Sequence, residues 1–170
     1  RRSRLLLIGE GPQHTAVRRR AAALGIAKAV LMPGSVPHAE LPNWTARFDI
    51  AVVPDIADYA SPMKLFEYWA SGAAVVAAAT EPIRELMPEG YDGEAAVLIP
   101  PADRKALGNA LAGLIADERR RRQIAECGRR LIEKEYNWDH HARRLLARLV
   151  AQMPSVAQTD EGAAMMVKKQ

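Results

Sequence analysis

Aromatic residues are scarce in this 170-residue chain, at 5%, and Cys127 is its only cysteine. A single cysteine excludes an internal disulfide and fits a reducing compartment. No apolar run approaches the roughly 18 residues that a membrane span needs. No stretch has the charged, apolar and small-residue order of a signal peptide. Neither a Gly-x-Ser-x-Gly elbow nor a Cys–His pairing marks a covalent nucleophile. Metal-ligand sets are lacking too. Asp55 and Asp58 share a loop without a third ligand, and the adjacent His140 and His141 would point to different faces of a helix. The formal charge is only +4, and much of the basic charge lies at Arg119 to Arg122, Arg129 and Arg130. Without interleaved aromatics or a recognition motif, those arginines read as a solvated helix face, not as a surface for nucleic acid or acidic lipid.

What is present is the material of an α/β domain. Apolar residues make up 49% of the chain, and the length suits one domain with a real core. Leu5-Leu-Leu-Ile8 is a continuous apolar run, as expected of a strand covered on both faces. A helix is expected over Gln13 to Leu24, stopped by Gly25. Ala29 to Met32 forms a second strand that ends in Pro33-Gly34-Ser35-Val36. Pro37 to Arg47 holds a small helix interrupted by Pro42, with Trp44 assigned to the core. Asp49 to Pro54 is a third strand, Ala73 to Ala79 a fourth and Ala95 to Ile99 a fifth. Between the last two lie a short helix at Glu81 to Leu86 and a turn at Tyr91 to Glu94. Asp103 caps a helix over Arg104 to Ala116. A second long helix spans Asp117 to Tyr136, with Ile124, Cys127, Leu131 and Tyr136 on one apolar face, and a last helix runs to about Ala151.

Five strands alternating with helices predict a Rossmann-like parallel sheet with helices on both faces. Residues 1–151 are expected to form that domain, and residues 152–170, which lack periodicity, a mobile tail. The first residue is Arg1, not Met, and the chain is expected to be an excerpt from a longer protein.

Ligands of such sheets bind beyond the carboxyl ends of the strands, and three features gather there. Gly9 and Gly11 follow the first strand, where glycine lets a backbone approach a ligand closely. A plain tight turn explains that pair equally well. Gly34, Ser35 and Val36 follow the second. The third is Ser61-Pro62-Met63-Lys64-Leu65-Phe66-Glu67-Tyr68-Trp69-Ala70-Ser71-Gly72. Ser61 is expected to cap a helix that starts at Pro62 and ends at Gly72. Lys64 then places a cation where the helix dipole prefers an anion. A bound phosphate removes that conflict. Glu67, three residues on, shares its face; an ordinary ion pair with Lys64 is the plain alternative. Leu65, Phe66 and Trp69 suggest that this helix is mostly buried.

This segment, with the apolar strand after it, resembles the donor-site segment of family 4 glycosyltransferases, the glycosyltransferase group 1 family. The resemblance covers about Leu5 to Leu149 and implies the C-terminal half of a GT-B fold. The family's signature is a Glu, seven residues and a second Glu. Glu67 matches the second, which in the family binds the ribose of the donor. Tyr59 stands where the first would fall, and the Ser-Pro-x-Lys form is similar to a sub-variant that also lacks it. The resemblance implies a nucleoside diphosphate sugar as donor, held by Gly9, Gly11, Gly34, Ser35, Val36, Ser61, Pro62, Met63, Lys64 and Glu67. Of these, Lys64 and Glu67 are implied to act in catalysis, with no metal and no other cofactor.

In the family this half begins one strand earlier, in the middle of the sheet. A turn after that strand brings an Arg and a Lys to the pyrophosphate, and neither is found here. The acceptor-binding N-terminal domain is absent as well, so it would come from elsewhere in the polypeptide or from a partner chain. The implied activity is retaining transfer of a sugar to an acceptor hydroxyl, with this chain alone an incomplete catalyst. The implied place is the cytoplasm or the inner face of the membrane, with peripheral membrane contact and no nucleic-acid partner. The other reading is a non-catalytic nucleotide-binding or interaction module of the same fold. A sugar-nucleotide epimerase of GT-B type fits the Ser-Pro-x-Lys segment less well. A response-regulator module lacks the acidic pair after the first strand.

Overall fold

The computed structural model describes residues 3–54, 61–87 and 94–152. The chain divides into two compact units, residues 1–132 and 133–170. Asp55, Asp58, Tyr59, most of the turn at residues 91–94 and nearly all of the expected tail lie outside the described residues.

In the first unit the elements alternate as the sequence predicts. They are β1 (Leu5–Ile8), α1 (His14–Ala23), β2 (Val30–Gly34), α2 (Leu41–Thr45), β3 (Ile50–Val53), α3 (Met63–Ser71), β4 (Ala74–Ala78), α4 (Glu81–Arg84), β5 (Ala96–Ile99), α5 (Arg104–Ala116) and α6 (Glu118–Lys134), the last running just across the division. Every strand pairing is parallel. The strands form two ladders, β1-β2 and β3-β4-β5, and no ladder joins β1 to β3 among the described residues.

The two ladders differ in how they are covered. All five residues of β4 are buried. Successive side chains alternate between faces, so both faces of β4 are packed. One face carries Ala74 and Val76, which join Ile99 of β5, Leu114 of α5 and Ile124 of α6 in one apolar cluster. β1 does not match its expectation of cover on both faces: Leu5 is 50% exposed and Leu7 36%. The apolar run was read correctly as a strand, but among the described residues β1 is laddered on one edge only, and Leu5 and Leu7 stay exposed.

Helix boundaries follow their capping chemistry. The Asp103 carboxylate accepts from the amides of Lys105 and Ala106 at 2.9 and 2.8 Å. Asp117 accepts from the Arg120 amide at 2.9 Å, so it caps α6 instead of forming its first residue. Pro42 opens α2 instead of interrupting it. Proline is tolerated in a first turn because its missing N–H would have no intrahelical acceptor there. Trp44 is half-buried under the Arg47 guanidinium, 5.8 Å from the ring centroid, and is not a core residue. The arginine run of α6 holds the fold together locally. Arg120 grips the Glu94 carboxylate at 3.0 and 3.1 Å, Arg121 donates to the Leu114 carbonyl at 2.8 Å, and Arg122 pairs with Glu118 at 2.6 Å.

In the second unit, Asn137 caps α7 (Trp138–Gln152) by accepting from the His140 amide at 2.8 Å. His140 faces Glu135 at 3.7 Å, and the His141 ring lies 6.3 Å from that of Tyr136. The two histidines thus turn to different neighbours.

Two outcomes follow from this packing. A Cβ added at Gly128 of α6 would lie 2.2 Å from Trp69 Cδ1, whereas one at Gly108 or Gly113 of α5 meets open space. Gly128→Ala is expected to lower stability by about 1–3 kcal/mol through overpacking. Gly113→Ala is expected to raise it by up to about 1 kcal/mol, because alanine loses less freedom in a helix. Urea denaturation of both variants checks the contrast. Burial, and then the negative charge of Glu67, raise the Tyr68 phenol above its ordinary 10.0. The folded state therefore holds the proton longer than the unfolded chain. Stability from this group is full below pH 10.0 and is lost as the pH rises through the folded value. Glu67→Gln removes one of the two causes, so the Tyr68 titration read by ultraviolet absorbance shifts downward. An unchanged titration would contradict that coupling.

Candidate functional site

The loops at the carboxyl ends of β1 and β2 are tied together. Gly9 has φ +118° and Gly34 φ +84°, a region in which L side chains are strained, and the Gly9 amide donates to the Gly34 carbonyl at 2.8 Å. A Cβ on Gly34 would also come within 3.2 Å of Glu10 Oε1. These two glycines are therefore required by the backbone. Gly11 has no such constraint, as its φ is not positive and a Cβ there meets nothing.

Beside this tie is an open cavity of about 550 Å3, lined by Glu10, Gly11, His14, Arg18 and the Met32–Gly34 turn. Arg18 donates to the Met32 carbonyl at 3.3 Å. His14 Nε2 is buried and has no hydrogen-bond partner among the described residues. Ser35 is exposed and Val36 half-buried just beyond this turn.

α3 carries the charged pair. Gly72, with φ +77°, closes the helix in the left-handed conformation, and its amide and that of Ala73 return to the Trp69 and Tyr68 carbonyls at 3.1 Å each. The start differs from expectation. Ser61 does not cap: Pro62 holds the cap position with φ −80° and ψ 61°, and no side chain among the described residues caps the helix. The Met63 amide instead turns back to the Ser61 carbonyl, and the Leu65 amide to the Pro62 carbonyl, both at 2.9 Å. The Ser61 hydroxyl lies 3.9 Å from Met63 Sδ. Two amides of the first turn are thus used locally, and the Lys64 amide has no acceptor among the described residues.

The helix is also less buried than its sequence suggests. Leu65 and Trp69 are fully buried, and Pro62 before them is buried, but Met63, Lys64 and Glu67 are exposed. The reason is position: Leu65 and Trp69 are four apart and share the inner face, while Lys64 and Glu67, three apart, share the outer one. No ion pair joins Lys64 to Glu67 among the described residues, so the plain alternative for this pair is not realised.

Glu67 lines a second cleft of about 550 Å3 between α2 and α3. Leu41, Pro42 and Thr45 form its α2 wall, Ala70 and Ser71 continue the α3 wall, and His38 and Arg129 stand at its margins. The structure therefore sorts the expected residues into groups. Gly9, Gly11 and Gly34 border the first cavity or are tied to it, and Glu67 borders the second. Lys64 sits one helical turn before Glu67. Ser61, Pro62, Met63, Ser35 and Val36 line neither. Reading the sequence missed His14, Arg18, His38 and Arg129. A histidine or arginine on an amphipathic helix carries no mark of which cleft it will meet. No group of three or more His, Cys, Asp or Glu side chains suited to a metal is found among the described residues. No helix among them is long and apolar enough to cross a membrane.

Comparison with known proteins bears on the family and the fold. D-inositol 3-phosphate glycosyltransferase of Xylanimonas cellulosilytica is 30% identical over 145 residues, 84% of this chain and 34% of that protein. The crystal structure of the C-terminal domain of LpcC from Francisella tularensis, a glycosyl transferase group 1 family protein, superposes with a TM-score of 0.70 at 24% identity. That match covers 79% of this chain and 70% of that one. HepE of Anabaena, crystallised in complex with UDP, superposes with a TM-score of 0.73 at 19% identity, covering 88% of this chain and 41% of that one. The chain spans 13% to 38% of the length of the six curated relatives it matches. The fold is that of the C-terminal GT-B domain. The family described as Glycosyl transferases group 1 matches residues 1–117, well over half of the chain, and this chain belongs to that family.

Proposed function

We propose that this chain holds the nucleoside diphosphate end of an activated sugar, and that it serves a retaining glycosyltransferase that moves the sugar to an acceptor hydroxyl. The observation that carries this reading is the pair Lys64 and Glu67. Both are exposed on one face of α3, and no ion pair consumes either among the described residues. The structural likeness to HepE, which was crystallised in complex with UDP, supports the same ligand class.

The roles divide by chemistry. At the start of α3 the Lys64 ammonium, its own amide and the positive end of the helix dipole favour an anion. Departure of a nucleoside diphosphate builds negative charge on its terminal phosphate. Preorganised donors aimed at that oxygen lower the barrier more than they stabilise the bound donor. Glu67 is an acceptor-only group suited to two vicinal ribose hydroxyls. The apolar part of the cleft at Leu41 and Pro42 suits the nucleoside beside it. The loops that carry Gly9, Gly11 and Gly34 border the same region in this reading, with Gly9 and Gly34 tied to each other and Gly11 lining the first cavity. Ser35, Val36, Ser61, Pro62 and Met63 complete the donor set in this reading. The acceptor-binding domain belongs to another part of the enzyme, which acts in the cytoplasm, at or near the inner face of the membrane.

Calorimetric titration with UDP, GDP and ADP, and with the matching nucleosides, tests the division. One nucleotide is expected to bind saturably. Lys64→Ala should weaken the nucleotide about tenfold or more and leave the nucleoside unchanged, as removal of a charge-assisted contact would. Glu67→Ala should weaken both. Circular dichroism confirms that the variants fold. A folded chain that binds none of the three nucleotides, or Lys64→Ala that weakens the nucleoside equally, would sink the assignment.

A further inference from the structure

The cavity at the carboxyl ends of β1 and β2 is walled by charged side chains that the donor reading leaves without a task. We propose that Glu10 and Arg18 read the polar edge of the donor's base, and that this base is guanine. The inference rests on the reading of Lys64 and Glu67 as the diphosphate and ribose contacts.

Placement is the first ground. Glu10 and Arg18 meet the Met32–Gly34 turn from two different elements. The Glu10 carboxylate lies over Gly34, with Oε1 3.2 Å from where a Cβ would stand. Arg18 of α1 holds the Met32 carbonyl at 3.3 Å through one guanidinium nitrogen. Met32 and Gly34 are two residues apart in β2, about 6.6 Å by the rise of a strand. A carboxylate and a guanidinium are thus anchored at neighbouring points of one wall, and no ion pair joins them among the described residues. His14 lines the same cavity, and its buried Nε2 has no partner among the described residues. An orphan of this kind is costly, and a bound molecule that reaches it removes the cost.

Continuity with the second cleft is the other ground. The lining of the first cavity ends at Gly34, and that of the cleft at Glu67 begins at His38. Along the chain only residues 35–37 separate them, with Ser35 exposed and Val36 half-buried. A nucleoside whose ribose is on Glu67 and whose flank rests on Leu41 and Pro42 extends its base across that stretch. The base then lies beyond the carboxyl ends of β1 and β2, where ligands of parallel sheets bind.

The chemistry of the pair selects the base. A carboxylate only accepts hydrogen bonds, and a guanidinium only donates them. Guanine has two donors side by side, N1–H and the 2-amino group, and two acceptors side by side, O6 and N7. It can meet both charged forks bidentately. Uracil has a single N–H between two carbonyl oxygens. Adenine has one amino group beside ring nitrogens that accept. Either of these would turn an acceptor towards the Glu10 carboxylate.

Calorimetric titration of the full chain with GDP, UDP, ADP and inosine diphosphate tests the assignment. Inosine differs from guanosine only in lacking the 2-amino group. GDP is expected to bind about tenfold or more tighter than each of the other three. Glu10→Ala should close the gap between GDP and inosine diphosphate, because the partner of the 2-amino group is gone. Arg18→Ala should weaken both by about tenfold and leave that gap open, since O6 and N7 are common to the two. A side chain that served only the fold would weaken both ligands together, so the gap is the decisive readout. Glu10→Gln, which keeps one acceptor, should narrow the gap, and it takes the place of Glu10→Ala if circular dichroism shows that variant unfolded. Preference for UDP or ADP, equal binding of GDP and inosine diphosphate, a gap that survives loss of the Glu10 carboxylate, or an Arg18→Ala variant that binds GDP normally would each overturn the inference. If binding in those cases is still weakened by Lys64→Ala, the donor reading stands without it. A folded chain that binds none of the four nucleotides overturns both.

Discussion

The burial of Trp69 is the contact on which the candidate site depends. Its side chain is wholly enclosed, its indole N–H donates to the Ala95 carbonyl at 2.8 Å, and its ring lies against Gly128 of α6. One residue thus fixes α3 to the entry of β5 and to a helix more than fifty positions later. Removing a buried Trp side chain typically costs about 3–5 kcal/mol. The positional consequence matters as much. Lys64 and Glu67 are exposed on α3, and their place is set by the residues that pin that helix from within. Leu65, four positions before Trp69, is fully buried on the same face. The indole hydrogen bond adds direction to this packing, because burial alone does not fix the rotation of a helix about its axis.

Much of this organisation was legible in the sequence, where local chemistry and tertiary packing agree. β4 is an unbroken run of small apolar residues, and it is the strand with both faces covered. Asp103 and Gly72 mark helix ends because each solves a local problem, an orphan amide in one case and a left-handed turn in the other. Reading failed where two local solutions compete. Ser61 and Pro62 both suit a helix start. The backbone resolved the choice by turning the Met63 amide onto the Ser61 carbonyl, which leaves the hydroxyl outside the cap. No residue pattern announces that outcome. The β1 run misled for a different reason. An apolar strand states that it should be covered, not which element supplies the cover.

The candidate site was legible as chemistry but not as geometry. Lys64 and Glu67 stood out because a cation in a first turn and a carboxylate on a helix of large apolar residues both break expectation. Their separation from the Gly9–Gly34 loops, and the assignment of Glu67 to a cleft shared with α2, depend on how α2 packs beside α3. Leu41, Pro42 and Thr45 face that cleft because α2 is a single turn or so, with no long apolar stripe to set its rotation in advance.

The uneven burial of the two ladders bears directly on binding. One set of candidate contacts, Lys64 and Glu67, rests on the well-packed β3-β4-β5 side through Trp69. The other set, Gly9 and Gly34, rests on β1 and β2, where little is buried. A ligand that bridges both sets must find the weaker side in order. Its apparent affinity falls by the fraction of chains in which that side is formed.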